Sequence, residues 1–259
     1  MFKPLPRYGL LLASALLAAS AAAAPTAQSL LATSDGIRNP SQSFALTSTL
    51  TEYRNGQQTE QTTLAVYARA EPNTGQYRNL IRFVAPQRDN GKLLLKNGND
   101  LWFFDPASKA SVRISPQQRL LGQAANGDVV TVNLAVDYSA QLAGEEAVQD
   151  GQQQPRQAYL LKLSAKTPEV TYHRIDYWLD KTSLQPIKAR FYSSSDRLLK
   201  TAFYRKFEQQ LGALRPTETV IIDGLDPKWI TVVRSSDWRY RDVPENWLQR
   251  EYLPNFKAE

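Results

Sequence analysis

Leu80-Ile81-Arg82-Phe83-Val84 decides how this chain must fold. In surroundings rich in Thr, Val, Tyr, Phe and Leu it reads as a strand, yet it carries large apolar side chains on both faces. A sheet with one wet face alternates apolar and polar residues. Leu101-Trp102-Phe103-Phe104 and Ala202-Phe203-Tyr204 break the alternation in the same way. Both sides of such a sheet need cover. Two arrangements supply it: a strongly curved sheet with helices plugging its concave side, or a two-sheet sandwich.

Outward from that stretch, runs of strand-forming residues alternate with turn formers from Ser41 onward, as in an antiparallel sheet. Ser41–Arg54 and Gln57–Arg69 flank Asn55-Gly56, a strong hairpin signal because both central residues of a type I′ turn need positive φ. A second block covers Gln157–Lys166, Glu169–Asp180, Gln185–Ser194, Arg197–Leu211, Arg215–Asp223 and Trp229–Asp237. The total comes to about eleven strands, and short connections favour meander order.

Three segments predict helices. Ala27, Leu30, Leu31 and Ser34 recur at helical spacing and stop at Gly36. Val129–Leu142 carries Val130, Leu134, Tyr138 and Leu142 at four-residue steps. Near the end, Asp242 and Glu245 form a capping box ahead of Trp247, Leu248 and Tyr252.

Met1–Ala24 reads as a secretory leader, with Lys3 and Arg7 before the apolar core Leu10–Leu17 and small residues at Ala21–Ala24. Cleavage is expected after Ala23, leaving residues 24–259 as one domain in a periplasm-type compartment; an uncleaved N-terminal anchor is the competing reading. The chain has no cysteine, so it folds without disulfides, lacks a lipobox and has no thiolate chemistry. Losing Lys3 and Arg7 takes the 31 basic residues to 29 and the net charge from +6 to +4. The basic residues are scattered singly among acids, a pattern that argues against nucleic-acid binding.

His173 is the only histidine, which rules out metal sites built on paired imidazoles. No serine sits in a G-x-S-x-G elbow and no phosphate-cradling glycine loop occurs. No catalytic residue, cofactor or metal is therefore expected. Five Trp, twelve Tyr and nine Phe are either ordinary core material or the lining of an apolar cavity.

Read in order, Arg82-Phe83-Val84-Ala85-Pro86, Asp89-Asn90-Gly91-Lys92-Leu93-Leu94-Leu95 and Leu101-Trp102-Phe103-Phe104-Asp105-Pro106 resemble the outer-membrane lipoprotein-sorting family, the LolA/LolB-like periplasmic carriers. Tyr172-His173-Arg174-Ile175-Asp176-Tyr177-Trp178-Leu179-Asp180, Pro186-Ile187-Lys188 and Leu199-Lys200-Thr201 extend the likeness over nearly the whole chain beyond the leader.

The resemblance implies a mainly β fold: an incomplete antiparallel β-barrel wrapped around an apolar cavity and closed by short helices. It also implies a non-enzymatic activity, in which the cavity receives the acyl chains of lipoproteins or other lipids from an inner-membrane transporter and delivers them to an outer-membrane acceptor. Greater length and divergent motifs point to a paralogue dedicated to one transport system, expected to be a monomer. Ile81, Phe83, Trp102, Phe104, Phe191 and Phe203 are the candidate cavity positions, and Arg69 is the candidate lid contact. The rival reading from another class is a periplasmic sensor or adaptor that binds a lipoprotein or protein partner in envelope stress signalling. A lipid hydrolase is disfavoured by the lone histidine.

Overall fold

The computed structural model describes residues 25–257; the leader reading of residues 1–23 lies outside them. A helix, α1 (Ala27–Arg38), precedes six strands: β1 (Phe44–Arg54), β2 (Gln57–Glu71), β3 (Gln76–Ala85), β4 (Leu93–Asn97), β5 (Asp100–Asp105) and β6 (Ala110–Arg113). A strap follows, containing a small hairpin, β7 (Arg119–Leu121) and β8 (Ala124–Ala125), and one helical turn, α2 (Leu134–Asp137). Seven more strands complete the sheet: β9 (Tyr138–Gln149), β10 (Pro155–Ala165), β11 (Arg174–Asp180), β12 (Pro186–Tyr192), β13 (Leu198–Gln210), β14 (Ala213–Asp223) and β15 (Trp229–Tyr240). Two 3-10 turns, Glu245–Leu248 and Arg250–Asn255, form a tail.

The thirteen long strands make one antiparallel sheet in the order β6-β5-β4-β3-β2-β1-β15-β14-β13-β12-β11-β10-β9. It is two meanders joined where β1 lies beside β15, with Leu50 opposite Val233. β6 and β9 remain as free edges, so the sheet does not close. The architecture is therefore the curved sheet rather than the sandwich, with thirteen strands instead of about eleven. The Asn55-Gly56 turn has the expected left-handed geometry, with φ of 51° and 78°.

Period-two alternation then sorts the doubly apolar strands. Ile81 and Phe83 of β3, Leu94 of β4 and Leu101 of β5 point into one large interior cluster, which also takes residues from β9 to β14. Leu80, Leu93, Leu95 and Phe104 point the other way and are covered by Val243, Trp247, Leu248 and Leu253 of the tail. This stretch of the sheet thus has a core on each face, and a third, smaller cluster of Ala158, Trp178 and Ile187 lies further along the sheet.

Two of the expected helices are corrected. Val129–Leu142 yields only the single turn Leu134–Asp137, and Tyr138 onward forms the edge strand β9. The β-branched run Val129-Val130-Thr131-Val132 resists helix formation, and its extended backbone finds partners on the sheet. In β9, Leu160 opposes Gly144 and Leu161 opposes Leu142, leaving Ala143 as a bulge. The tail is 3-10 rather than α, interrupted by Pro254. Glu245 makes no capping box; its carboxylate is taken by Arg78 at 2.5 and 2.6 Å, since a bidentate guanidinium outcompetes a backbone N–H.

Candidate functional site

Residues 114–137 leave the β6 edge, cross the interior and rejoin the sheet at β9. The strap lies close against the sheet. A Cβ on Gly122 would come within 2.2 Å of Thr231 Oγ1 on β15, and one on Gly127 within 2.1 Å of Thr171 Oγ1. Gly122 also has φ of +53°, so it is required twice over.

Polar side chains of the sheet hold the strap in extended form. Asn79 of β3, fully buried, donates from Nδ2 to Thr131 O at 3.0 Å and accepts from Thr131 N at 2.9 Å. Gln76 does the same for Asn133, donating at 3.2 Å and accepting at 2.8 Å. Two side-chain amides thereby stand in for a neighbouring strand, satisfying backbone groups that burial would otherwise leave unpaired. From α1, Asp35 accepts from Ala135 N at 2.7 Å and Arg38 donates to Val132 O at 3.0 Å.

At the other end of the strap sits a buried ionic latch. Asp128 accepts from the Tyr172 hydroxyl at 2.7 Å, from Ala125 N at 2.6 Å and from the Lys200 ammonium. Lys200, on β13, also donates to Gln123 O at 3.0 Å. Burial pushes the Lys200 ammonium below its ordinary value while Asp128 pulls the other way. Burial, and after it the Asp128 charge, raises the Tyr172 phenol well above its usual range, so it remains a donor.

Between strap and sheet lies a cavity of about 160 Å³. Val130, Val132 and Leu134 line it from the strap, and Ile175, Phe191 and Ile221 from the sheet. Arg38, Asp128 and Lys200 also reach its wall. The volume matches one benzene-sized guest and falls below the roughly 300–1,000 Å³ of typical ligand pockets. A long acyl chain therefore needs the strap displaced.

Of the six candidate cavity positions, Phe191 lines this space. Ile81 and Phe83 are buried in the same interior cluster. Trp102 and Phe104 lie on the opposite face, beneath the tail. Phe203 sits between Ala202 and Tyr204, which both line the cavity, and its ring lies outside with the Lys188 ammonium 5.6 Å away. Arg69 donates to Val243 O at 3.0 Å and pairs with Glu245 at 3.2 Å, so it holds the tail.

His173 is exposed, just before β11. Among the described residues no group of three or more His, Cys, Asp or Glu side chains is placed to hold a metal. The latch residues Asp128 and Lys200 did not emerge from sequence reasoning. The signal was available, because Lys200 shares strand parity with the small inward Ala202.

The described chain is thus an unclosed antiparallel sheet curled around an apolar interior and plugged by helix α1 and a crossing strap. Residues 75–255 match a family whose description reads Uncharacterized protein. A LolA superfamily protein from Nitrosomonas europaea superposes with a TM-score of 0.79 at 33% identity, covering 88% of this chain and 100% of its own. A DUF1329 family protein from Desulfovibrio piger gives 0.74 at 24% identity, with 88% and 99% covered. A domain from Vibrio parahaemolyticus, described as outer membrane lipoprotein-sorting, gives 0.70 at 19%, with 88% and 98% covered. No curated protein matches the chain in sequence. The chain belongs to the LolA superfamily. Among the described residues no helix is long and apolar enough to cross a membrane.

Proposed function

We propose that this protein is a periplasmic carrier that shields the acyl chains of a lipoprotein or another lipid between an inner-membrane donor and an outer-membrane acceptor, as a paralogue dedicated to one transport system. A single observation carries the reading: the apolar interior is incompletely filled, and the segment covering it both buries its own Leu121, Val129, Val130 and Leu134 there and is positioned by hydrogen bonds and one ion pair. Each methylene taken out of water contributes roughly 0.8 kcal/mol, so an acyl chain crosses an aqueous gap only inside such a shelter. Polar contacts exchange readily with water and contribute only about 1 kcal/mol each, so the main cost of displacing the strap is the burial of its apolar side chains, which a guest's own hydrocarbon replaces.

Native and denaturing mass spectrometry on protein recovered from a periplasmic extract tests this. Co-eluting lipid or acylated protein is the expected result. A stoichiometric partner without acyl chains would instead favour the sensor or adaptor. Failure to take up any acyl probe, even in the Lys200→Met variant with its latch cut, would rule out carriage.

A further inference from the structure

Outside the latch, on the far side of Tyr172 and Lys200 from the cavity, a second and larger space opens: a cleft of about 500 Å³. Both spaces share those two residues as a common wall. The cleft is rich in donors. The guanidinium carbons of Arg54 and Arg119 lie 3.2 and 4.2 Å from the centre of the Trp229 ring. Arg197 also lines the cleft, and neither it nor Arg119 has a carboxylate partner among the described residues. Two neutral donors there, Trp229 Nε1 and Gln123 Nε2, are buried without an acceptor.

The two acids of the same cleft, Asp223 and Asp226, accept from backbone N–H groups of their own turn rather than from its arginines. Asp223 accepts from Leu225 N and Asp226 N, both at 2.8 Å, and Asp226 accepts from Lys228 N at 3.0 Å. Arg54 is already paired with Glu52, which lies outside the cleft lining, at 2.8 Å. Trp229 Nε1 and Gln123 Nε2 are sealed in the wall, so the unfilled donor capacity that opens onto the cleft is that of the two guanidiniums, which suits an acceptor-rich anion. Leu225, 80% exposed, stands at the rim.

We propose that the cleft is a headgroup site for a phosphate-bearing lipid whose acyl chain passes Tyr172 and Lys200 into the inner cavity. The proposal rests on the carrier reading and narrows its cargo to an anionic amphiphile. Phosphate suits the site because its several oxygens accept from two guanidinium forks at once, whereas an uncharged head would leave those donors unpaired.

The test measures binding of dodecyl phosphate, dodecyl maltoside and inorganic phosphate to the purified mature chain, below micelle-forming concentrations, by calorimetry and tryptophan fluorescence. Dodecyl phosphate should bind at least about tenfold more tightly than the maltoside, the equivalent of one good charge-assisted contact. Inorganic phosphate should compete only weakly. In Arg119→Gln/Arg197→Gln, whose side chains are exposed, the ratio of the two affinities should fall below about threefold, with the thermal melt serving as a folding control. Equal binding of both amphiphiles, or a ratio unchanged in the double variant, overturns the headgroup site and leaves carriage standing. Inorganic phosphate binding as tightly as the amphiphile reassigns the cleft to a free anion and overturns the proposal. Binding of neither amphiphile overturns carriage with it.

Discussion

The two covers of this sheet are built differently: the tail rests on packed rings, whereas the strap adds a set of buried polar anchors to its apolar contacts. The tail lies on the outer face as a hydrophobic lid: Trp247 stacks edge-on against Tyr67 at 5.3 Å and Phe256 at 4.8 Å, and Leu248 and Leu253 are buried beneath it. The strap lies on the inner face as a mixed one, burying Leu121, Val129, Val130 and Leu134 while its backbone is held by polar side chains. Asn79, Gln76, Asp35 and Lys200 fix its position, while its own Val130, Val132 and Leu134 border a void. Apolar burial against packed rings is a large stability term with no alternative partner in water. Hydrogen bonds are nearly balanced by those that water offers. On the proposed carrier reading, the contrast separates a fixed roof from one that a guest displaces.

Breaking the roof should cost most. Trp247→Ala removes a buried indole and leaves a hole, with an expected loss of about 3–5 kcal/mol in urea unfolding and no gain in the rate of acyl-probe uptake. Cutting the latch should cost less and change uptake. Lys200→Met leaves Asp128 with the Tyr172 hydroxyl and Ala125 N–H, so the expected loss is about 2–3 kcal/mol, accompanied by faster loading in stopped-flow fluorescence. Faster loading in Trp247→Ala, or none in Lys200→Met, would erase the distinction. Asn79→Leu keeps the volume but strands both backbone groups of Thr131, for a loss of about 1–2 kcal/mol and faster amide exchange at that residue.

The smallest effect concerns the rim of the tail. Hydrogen bonding from Arg78, chiefly, holds the Glu245 carboxyl below its ordinary value of 4.5. A depressed carboxylate contributes stability above its unfolded value and loses it as pH falls through the folded one, so this clamp is present at neutral pH and weakens on acidification below about 4.5. The Glu245 side chain is 52% exposed, and Glu245→Gln should therefore cost less than about 1 kcal/mol. The same substitution should flatten the acid limb of the stability curve.

How far this was legible from residues alone follows the same divide. The parity of Leu80 to Val84 and Leu101 to Phe104 is a local, periodic signal, and it correctly demanded two covered faces. The Asn55-Gly56 turn is equally local, since its positive φ values are a property of those two residues. The strap gave no such signal. Its conformation depends on side-chain amides of Gln76 and Asn79, residues far away in the chain that look like ordinary polar interruptions of a strand. β9 was hidden for a related reason: at the sheet edge much of its length is exposed, and its Ala, Glu and Gln content suits a helix as well. Trp102 and Phe104 show the limit of parity, which tells that two residues share a face without telling which face encloses the cavity.

Both ends of the crossing segment are anchored to the free edges β6 and β9, so the plug never diffuses away. In the carrier proposed above, any guest competes with a tethered occupant whose local concentration is set by its two attachment points. Such an internal competitor lowers the retention of every guest and ejects it when an acceptor binds it better. Release then requires no external energy source, only a stronger place for the hydrocarbon to go.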